Sequence, residues 1–343
     1  MSRTKRSVLS LVASALVLQA APVHASTPRI PDWVKPAVTF LADKGWLDKS
    51  AFQANEPMTR AAFTKLMKNV FKGGYSRTEG AVKTREVSAA LVRVLGKAPV
   101  ARGLKQVTSP DGWQPRLHRW FGTEIVAREM GLRYNRLEAE DAFETSAGEA
   151  MKQADVVYAV WKAKTSPSTW GADALGSFGL ASYSEKRRRV VQFALSLVGT
   201  PYVWGGEWKT STPSDYPFGA QAHGGFDCSG FAWYVLKERS ATYSPTGRDY
   251  KGWSFPERSS SDMARATEKK IGYRRLLPGD VVFFAPGGSD ARARDVYHAG
   301  IYLGKGWMVH SSGSRAGISL APIGPGSWWN DQLMWGRRII TKG

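Results

Sequence analysis

The stretch KTSPSTWGADALGSFGLAS (164–182) separates two regions whose apolar residues follow different periods, so one uniform architecture cannot hold the whole chain. The stretch itself is rich in Ser, Gly, Ala and Pro, keeps no period and reads as a linker. Before it, residues 29–163 read as helical. WVKPAVTFLADKGWL (33–47) predicts a short amphipathic helix stopped by Gly45. PMTRAAFTKLMKNVF (57–71) predicts a second, with Thr59 as N-cap and Ala62, Phe63, Leu66, Met67 and Val70 on one face. KTREVSAALVRVLG (83–96) repeats half of that unit. Trp113, FGTEIVAREMGL (121–132) and ETSAGEAMKQADVVYAVW (144–161) repeat its order again. After the linker, residues 183–343 open with helical patterns at 186–199 and 228–239. Short runs split by Gly and Pro follow: 280–286, 297–304, 306–313, 317–323 and 335–340. Helices followed by a meander of strands predict an α+β fold with an antiparallel sheet.

The first 25 residues have the layout of a secretory signal: Arg3, Lys5 and Arg6, then the apolar run 8–18, then small residues ahead of Ala25. The 11-residue run falls short of the roughly 20 needed to span a bilayer. The expectation is an exported chain of two domains, with no integral membrane segment once the signal is removed. The formal charge is +19, with an isoelectric point near 10.0, which favours polyanionic partners. Nothing in the chain matches a nucleic-acid-binding module, so anionic cell-wall polymer is the expected partner, held through the basic N-terminal region.

Export makes the cysteine count informative. Cys228 is the only cysteine, so it cannot pair within its own chain. It is inert in a core, bridged to another molecule, or a working thiol. It opens the helical pattern 228–239, where unpaired backbone N–H groups favour a thiolate. It also lies on that helix's apolar face, as a core cysteine would. A thiol nucleophile needs a base. Of five histidines, His24 leaves with the signal and His118 belongs to the first region, leaving His223, His298 and His310. A tight Gly-Lys-Gly turn at 304–306, with Leu303 opposite Trp307, sets His298 and His310 on one sheet face. That suits a base and its orienter. Asp280 in the Pro-Gly-Asp turn is expected to be structural. No metal-ligand pattern is present, and no cofactor is expected.

TPYVWGG (200–206), GGFDCSGFAWYVL (224–236), RSSSDM (258–263), LLPGDVVFF (276–284), YHAGIYLGKGWMVHSS (297–312) and GRRII (336–340) occur in the order found in NlpC-type cell-wall cysteine peptidases, which this region resembles. The resemblance covers essentially all of 183–343. It implies a papain-like domain, with N-terminal helices packed on an antiparallel sheet, that cuts peptidoglycan stem peptides. It puts the nucleophile on Cys228, the base on His298 and the third polar residue on His310. It also implies that the Tyr202 phenol lies near the oxyanion, and that Asp227, Ser229 and Ser260 line the substrate site. Asp227 and Ser229 equally suit capping of the helix. Trp204, Trp208 and Trp253 are candidates for a groove floor. The loop 207–223, which carries His223, and the insertion 241–257 are longer than the family usually has. The implied activity is a D,L-endopeptidase acting on the γ-D-glutamyl–diaminopimelate bond. A thiol amidase or acyltransferase of the same fold, or a silent wall-binding protein, are the alternatives. The helical repeats in 29–163 resemble S-layer homology repeats, which dock onto wall polysaccharide, although the Thr-Arg-Ala-Glu signature reads Thr59-Arg60-Ala61-Ala62 here.

Overall fold

The computed structural model describes residues 30–212, 221–236 and 252–340. The signal-like segment 1–25 and parts of both insertions lie outside the described residues. Among the described residues, no helix is long and apolar enough to cross a membrane.

The first region is built from α1 (Lys35–Asp43), α2 (Arg60–Phe71), α3 (Thr84–Val94), α4 (Ala98–Lys105), α5 (Phe121–Glu129) and α6 (Gln153–Thr165). Helix α1 carries a proline in its first turn, where its missing N–H has no intrahelical role. Helix α2 starts as its sequence predicts: the Thr59 hydroxyl accepts from the Ala62 amide at 3.1 Å, and Phe63, Leu66, Met67 and Val70 are buried. The repeat has a structural counterpart at the starts of α2, α3 and α6. The Met58 N–H donates to Met151 O, Val82 N–H to Met58 O and Met151 N–H to Val82 O, each at 2.9 Å. Three non-adjacent chain segments thereby close a ring of backbone hydrogen bonds, and each sends off one helix.

The segment that reads as a linker is packed. It holds α7 (Thr169–Ala174), and Ala172, Leu175 and Leu180 are buried. Its glycine content has a steric use, since a Cβ on Gly171 would meet the Glu129 carboxylate at 3.1 Å. Small residues that suggest a flexible chain here permit close packing.

In the second region, α8 (Glu185–Ser196) buries Val190, Val191 and Ala194, and Gly199 follows with a φ of +93°. A two-residue pair of strands, β1 (Glu207–Trp208) and β2 (Gly225–Phe226), leads directly into α9 (Cys228–Leu236). After α10 (Ser260–Arg265) come β3 (Val281–Phe284), β4 (His298–Gly304), β5 (Trp307–Ser312) and β6 (Gly317–Pro322), then α11 (Trp328–Gln332) and β7 (Leu333–Arg337). The five-stranded sheet has the order β6-β5-β4-β3-β7, and every pair is antiparallel. Strands β3 to β6 form the expected meander, and β7 returns to the free edge of β3. The β4–β5 turn differs in one detail from its expectation. Gly304, at φ +93°, pairs with Trp307, while Lys305 and Gly306 take the two positive φ values of a tight hairpin. The extra residue is absorbed as a bulge, and Tyr302 faces Met308 and Ile301 faces Val309. The alternation expected for His298 and His310 survives beyond it.

Candidate active site

Helix α9 begins where Asp227 caps it. The Asp227 carboxylate accepts from the Gly230 amide at 2.5 Å and from the Ser229 hydroxyl at 3.1 Å. This places Cys228 in the first turn, 8% exposed, against the start of β4. Its Sγ donates to the Tyr297 carbonyl at 4.0 Å and is faced by the Ala299 amide, so the sulfur brackets His298 from the backbone on both sides. Among the described residues, no hydrogen bond joins Sγ to the imidazole of His298. The electrostatics differ from the sequence expectation. Burial, followed by the charge of Asp227, pushes the thiol up to about 12, against the Ala299 and Ser229 amides and Arg258. The helix N-terminus does favour the thiolate, but loss of hydration outweighs it.

His298 and His310 stand diagonally on one face of β4 and β5, 6% and 1% exposed. Nε2 of His298 lies 2.7 Å from Nδ1 of His310. That hydrogen bond leaves Nδ1 as the ring nitrogen of His298 available to the thiol. Burial holds His298 down to about 3 and His310 well below its usual value, the latter helped by His298 and Arg315. The resting site is a neutral thiol beside two neutral imidazoles. Trp329, from α11, covers the pair: its ring lies 4.7 Å from His298 at 31° and 5.2 Å from His310 at 90°.

Tyr202 is bridged to Phe226, the residue two before the cysteine. Its phenol is shifted upward by burial, then by the charges of Cys228, Asp227 and Asp141, so it is a neutral donor near the sulfur. Arg258 ties the approach to α9 together. It donates to Ser229 Oγ at 3.0 Å, to Asp227 at 3.2 Å and to the Gly205 carbonyl at 2.8 Å, and it pairs with Glu207. The Asp227 carboxylate is therefore shared between the helix cap and a guanidinium. Ser260 is half-buried at the start of α10, whose cap is Ser259. Trp204 is 64% exposed, and the Asp141 carboxylate of the first region accepts from its backbone N–H. His223 is engaged elsewhere, with Nε2 3.3 Å from Glu149. Asp280 is buried and joined to Arg338 at 2.8 Å, as a structural residue would be. Among the described residues, no group of three or more His, Cys, Asp or Glu side chains is placed to hold a metal ion.

Sequence reasoning missed Arg258 and Trp329. The arginine opens the RSSSDM run (258–263), and no local pattern in it signals a partner 31 residues earlier at Asp227. The tryptophan lies 31 residues beyond His298, with no periodic signal joining them.

The site is thus a helix-borne cysteine facing an antiparallel sheet that carries paired histidines. Residues 199–338 match the NlpC/P60 family. The chain is 34% identical over 150 residues to the gamma-DL-glutamyl hydrolase of Bacillus subtilis, a match covering 44% of this chain and 29% of that protein. It is 30% identical over 148 residues to the bifunctional muramidase/DL-endopeptidase CwlT of the same organism, covering 43% and 35%. The chain thus spans little more than a third of either curated relative, or less. Among solved structures, the peptidoglycan hydrolase RipB of Mycobacterium tuberculosis is similar over 46% of this chain and 66% of its own, at 25% identity and a TM-score of 0.33.

Proposed function

We propose that the protein is an exported peptidoglycan endopeptidase that cuts a stem-peptide amide through a thioester on Cys228. The observation that carries this reading is the 2.7 Å His298–His310 pair beside a buried cysteine in the first turn of α9, in a region that matches the NlpC/P60 family. His298 Nδ1 takes the thiol proton, and the sulfur attacks the carbonyl carbon. The tetrahedral oxyanion is met by the Tyr202 phenol and the Cys228 backbone N–H, donors worth roughly 3–4 kcal/mol in comparable sites. Collapse expels the amine, which takes the proton from His298. Water, deprotonated by the same ring, then hydrolyses the thioester and restores the thiol. His310 holds the His298 ring in the orientation that presents Nδ1 to sulfur.

The names of the relatives support a D-glutamyl bond, and the γ-D-glutamyl–diaminopimelate linkage is the proposed target. Asp227, Ser229 and Ser260 are its proposed neighbours, with Trp204 at the groove rim. Attraction to anionic wall polymer belongs to the whole surface on this reading: residues 183–343 carry 22 Lys and Arg against 13 Asp and Glu, so the cations are not confined to the helical region.

The test is mass spectrometry of muropeptides from walls digested with wild type and with Cys228→Ala. The wild type is expected to release fragments with a new diaminopimelate amine. The variant should release none while still sedimenting with walls. Lysis that survives the substitution overturns the nucleophile, and products cut at the lactyl–alanine amide assign an amidase instead.

A further inference from the structure

The proposed reaction makes an imidazolium in a place that disfavours one. His298 is buried, its hydrogen-bond partner is a second buried neutral imidazole, and among the described residues no carboxylate is hydrogen-bonded to it to offset a proton. In a Cys-His-carboxylate site an anion would do this. Here the group lying against the face of the ring is an indole. Trp329 sits 4.7 Å from His298 centroid to centroid, inclined by 31°, within the roughly 6 Å over which a ring quadrupole attracts a cation. Its own position is set by edge contacts with Phe284 at 4.9 Å and Trp328 at 4.8 Å. Its perpendicular contact with His310 means that one side chain touches both histidines and keeps water from the bond between them.

We infer that Trp329 is a positioning residue that stabilises the protonated state of His298 through the face of its indole, in place of the missing carboxylate. This rests on the Cys228–His298 mechanism proposed above. The neutral resting ring gains little from the contact and the imidazolium gains much, so the effect falls on proton transfer and not on substrate binding. Desolvation strengthens it, because the cation has no competing water.

The experiment keeps the shape of the side chain and changes only its electrons. Fluorinated tryptophans bearing one, two and three fluorines are placed at position 329 of the full chain by site-specific incorporation. Alkylation of Cys228 by iodoacetamide is then followed across pH. This reagent is small enough to report thiolate formation without substrate binding. The alkylation rate at neutral pH, where thiolate forms by transfer to His298, is expected to fall stepwise with each fluorine, to a total of about 3- to 30-fold. kcat on a stem peptide should fall in parallel while KM holds. Trp329→Phe should lie between wild type and Trp329→Leu. A flat fluorine series overturns the inference, because a purely steric role is indifferent to ring charge. If the series is flat and Cys228→Ala and His298→Ala are both inactive, only the role of Trp329 falls. If either of those variants stays lytic, the mechanism itself falls.

Discussion

At the scale of single residues, the site is governed by burial. Cys228 is pushed up and His298 and His310 are pushed down, so the neutral forms dominate at rest and charge separation waits for substrate. Stability should register this. Unfolded histidines bind a proton below about 6.5, whereas His298 in the fold resists until about 3. In that window the unfolded chain holds more protons, so acid favours unfolding, and the contribution is complete above 6.5. The melting temperature is expected to fall more steeply between pH 6.5 and 3 in wild type than in His298→Gln. Parallel curves for the two proteins would contradict the burial argument. The juxtaposition of Cys228, His298 and His310 was legible in sequence because all three sit in short motifs of fixed order. The direction of the thiol's shift was not, because a helix terminus is local and desolvation is set by everything packed around it.

Among elements, the β2–α9 junction fixes Cys228. A Cβ on Gly230, in the first turn of α9, would lie 2.1 Å from the Gly206 carbonyl oxygen and 2.8 Å from the Arg258 guanidinium. Backbone cannot yield there as a flexible side chain would. Gly230→Ala is expected to cost about 1–3 kcal/mol, read as a lower denaturant midpoint, with activity lost even at temperatures where the variant stays folded. Unchanged activity would show that the Gly206 turn does not hold α9 in register. The longer helices and the five sheet strands follow their sequence periods closely. The elements that escaped, α4, α7, α10 and α11, have eight residues or fewer. So short a stretch gives periodicity too few turns to appear.

Over the whole molecule, the two regions are joined by buried polar contacts. Arg128 of α5 donates to the Gly199 carbonyl at 3.2 Å and to the Ala316 carbonyl, with Glu124 at 3.7 Å. Next to it, Glu129 accepts from Arg315 at 2.9 Å and from Ser319 at 3.1 Å. Burial lowers Arg128 only to about 10, so it is charged at neutral pH. Arg128→Leu leaves the Gly199 and Ala316 carbonyls without their donor and the buried Glu124 with only Arg133, at 3.5 Å, as a cation. It is expected to destabilise the full chain by about 3–5 kcal/mol, measured by denaturant unfolding, and to loosen both regions in one transition. Two separate transitions with the second region unaffected would show that the regions are independent. Arg315 also bears on His310, so its ion pair with Glu129 links the helical region to the sheet face that carries the histidines.

What the sequence determined by itself is whatever short-range chemistry decides: the helix periods, the Thr59 cap, the alternation that aligns His298 with His310, and the motif order that marks residues 199–338. Each depends on neighbours within a few residues, where steric and hydrogen-bonding preferences act without help. Only the tertiary structure decided that the small-residue stretch packs, that Arg258 takes up Asp227, and that Trp329 closes over both imidazoles. Those outcomes come from distant segments competing for the same buried volume. Burial also reverses local electrostatics, since the loss of water is felt by a side chain only once the rest of the chain has closed around it.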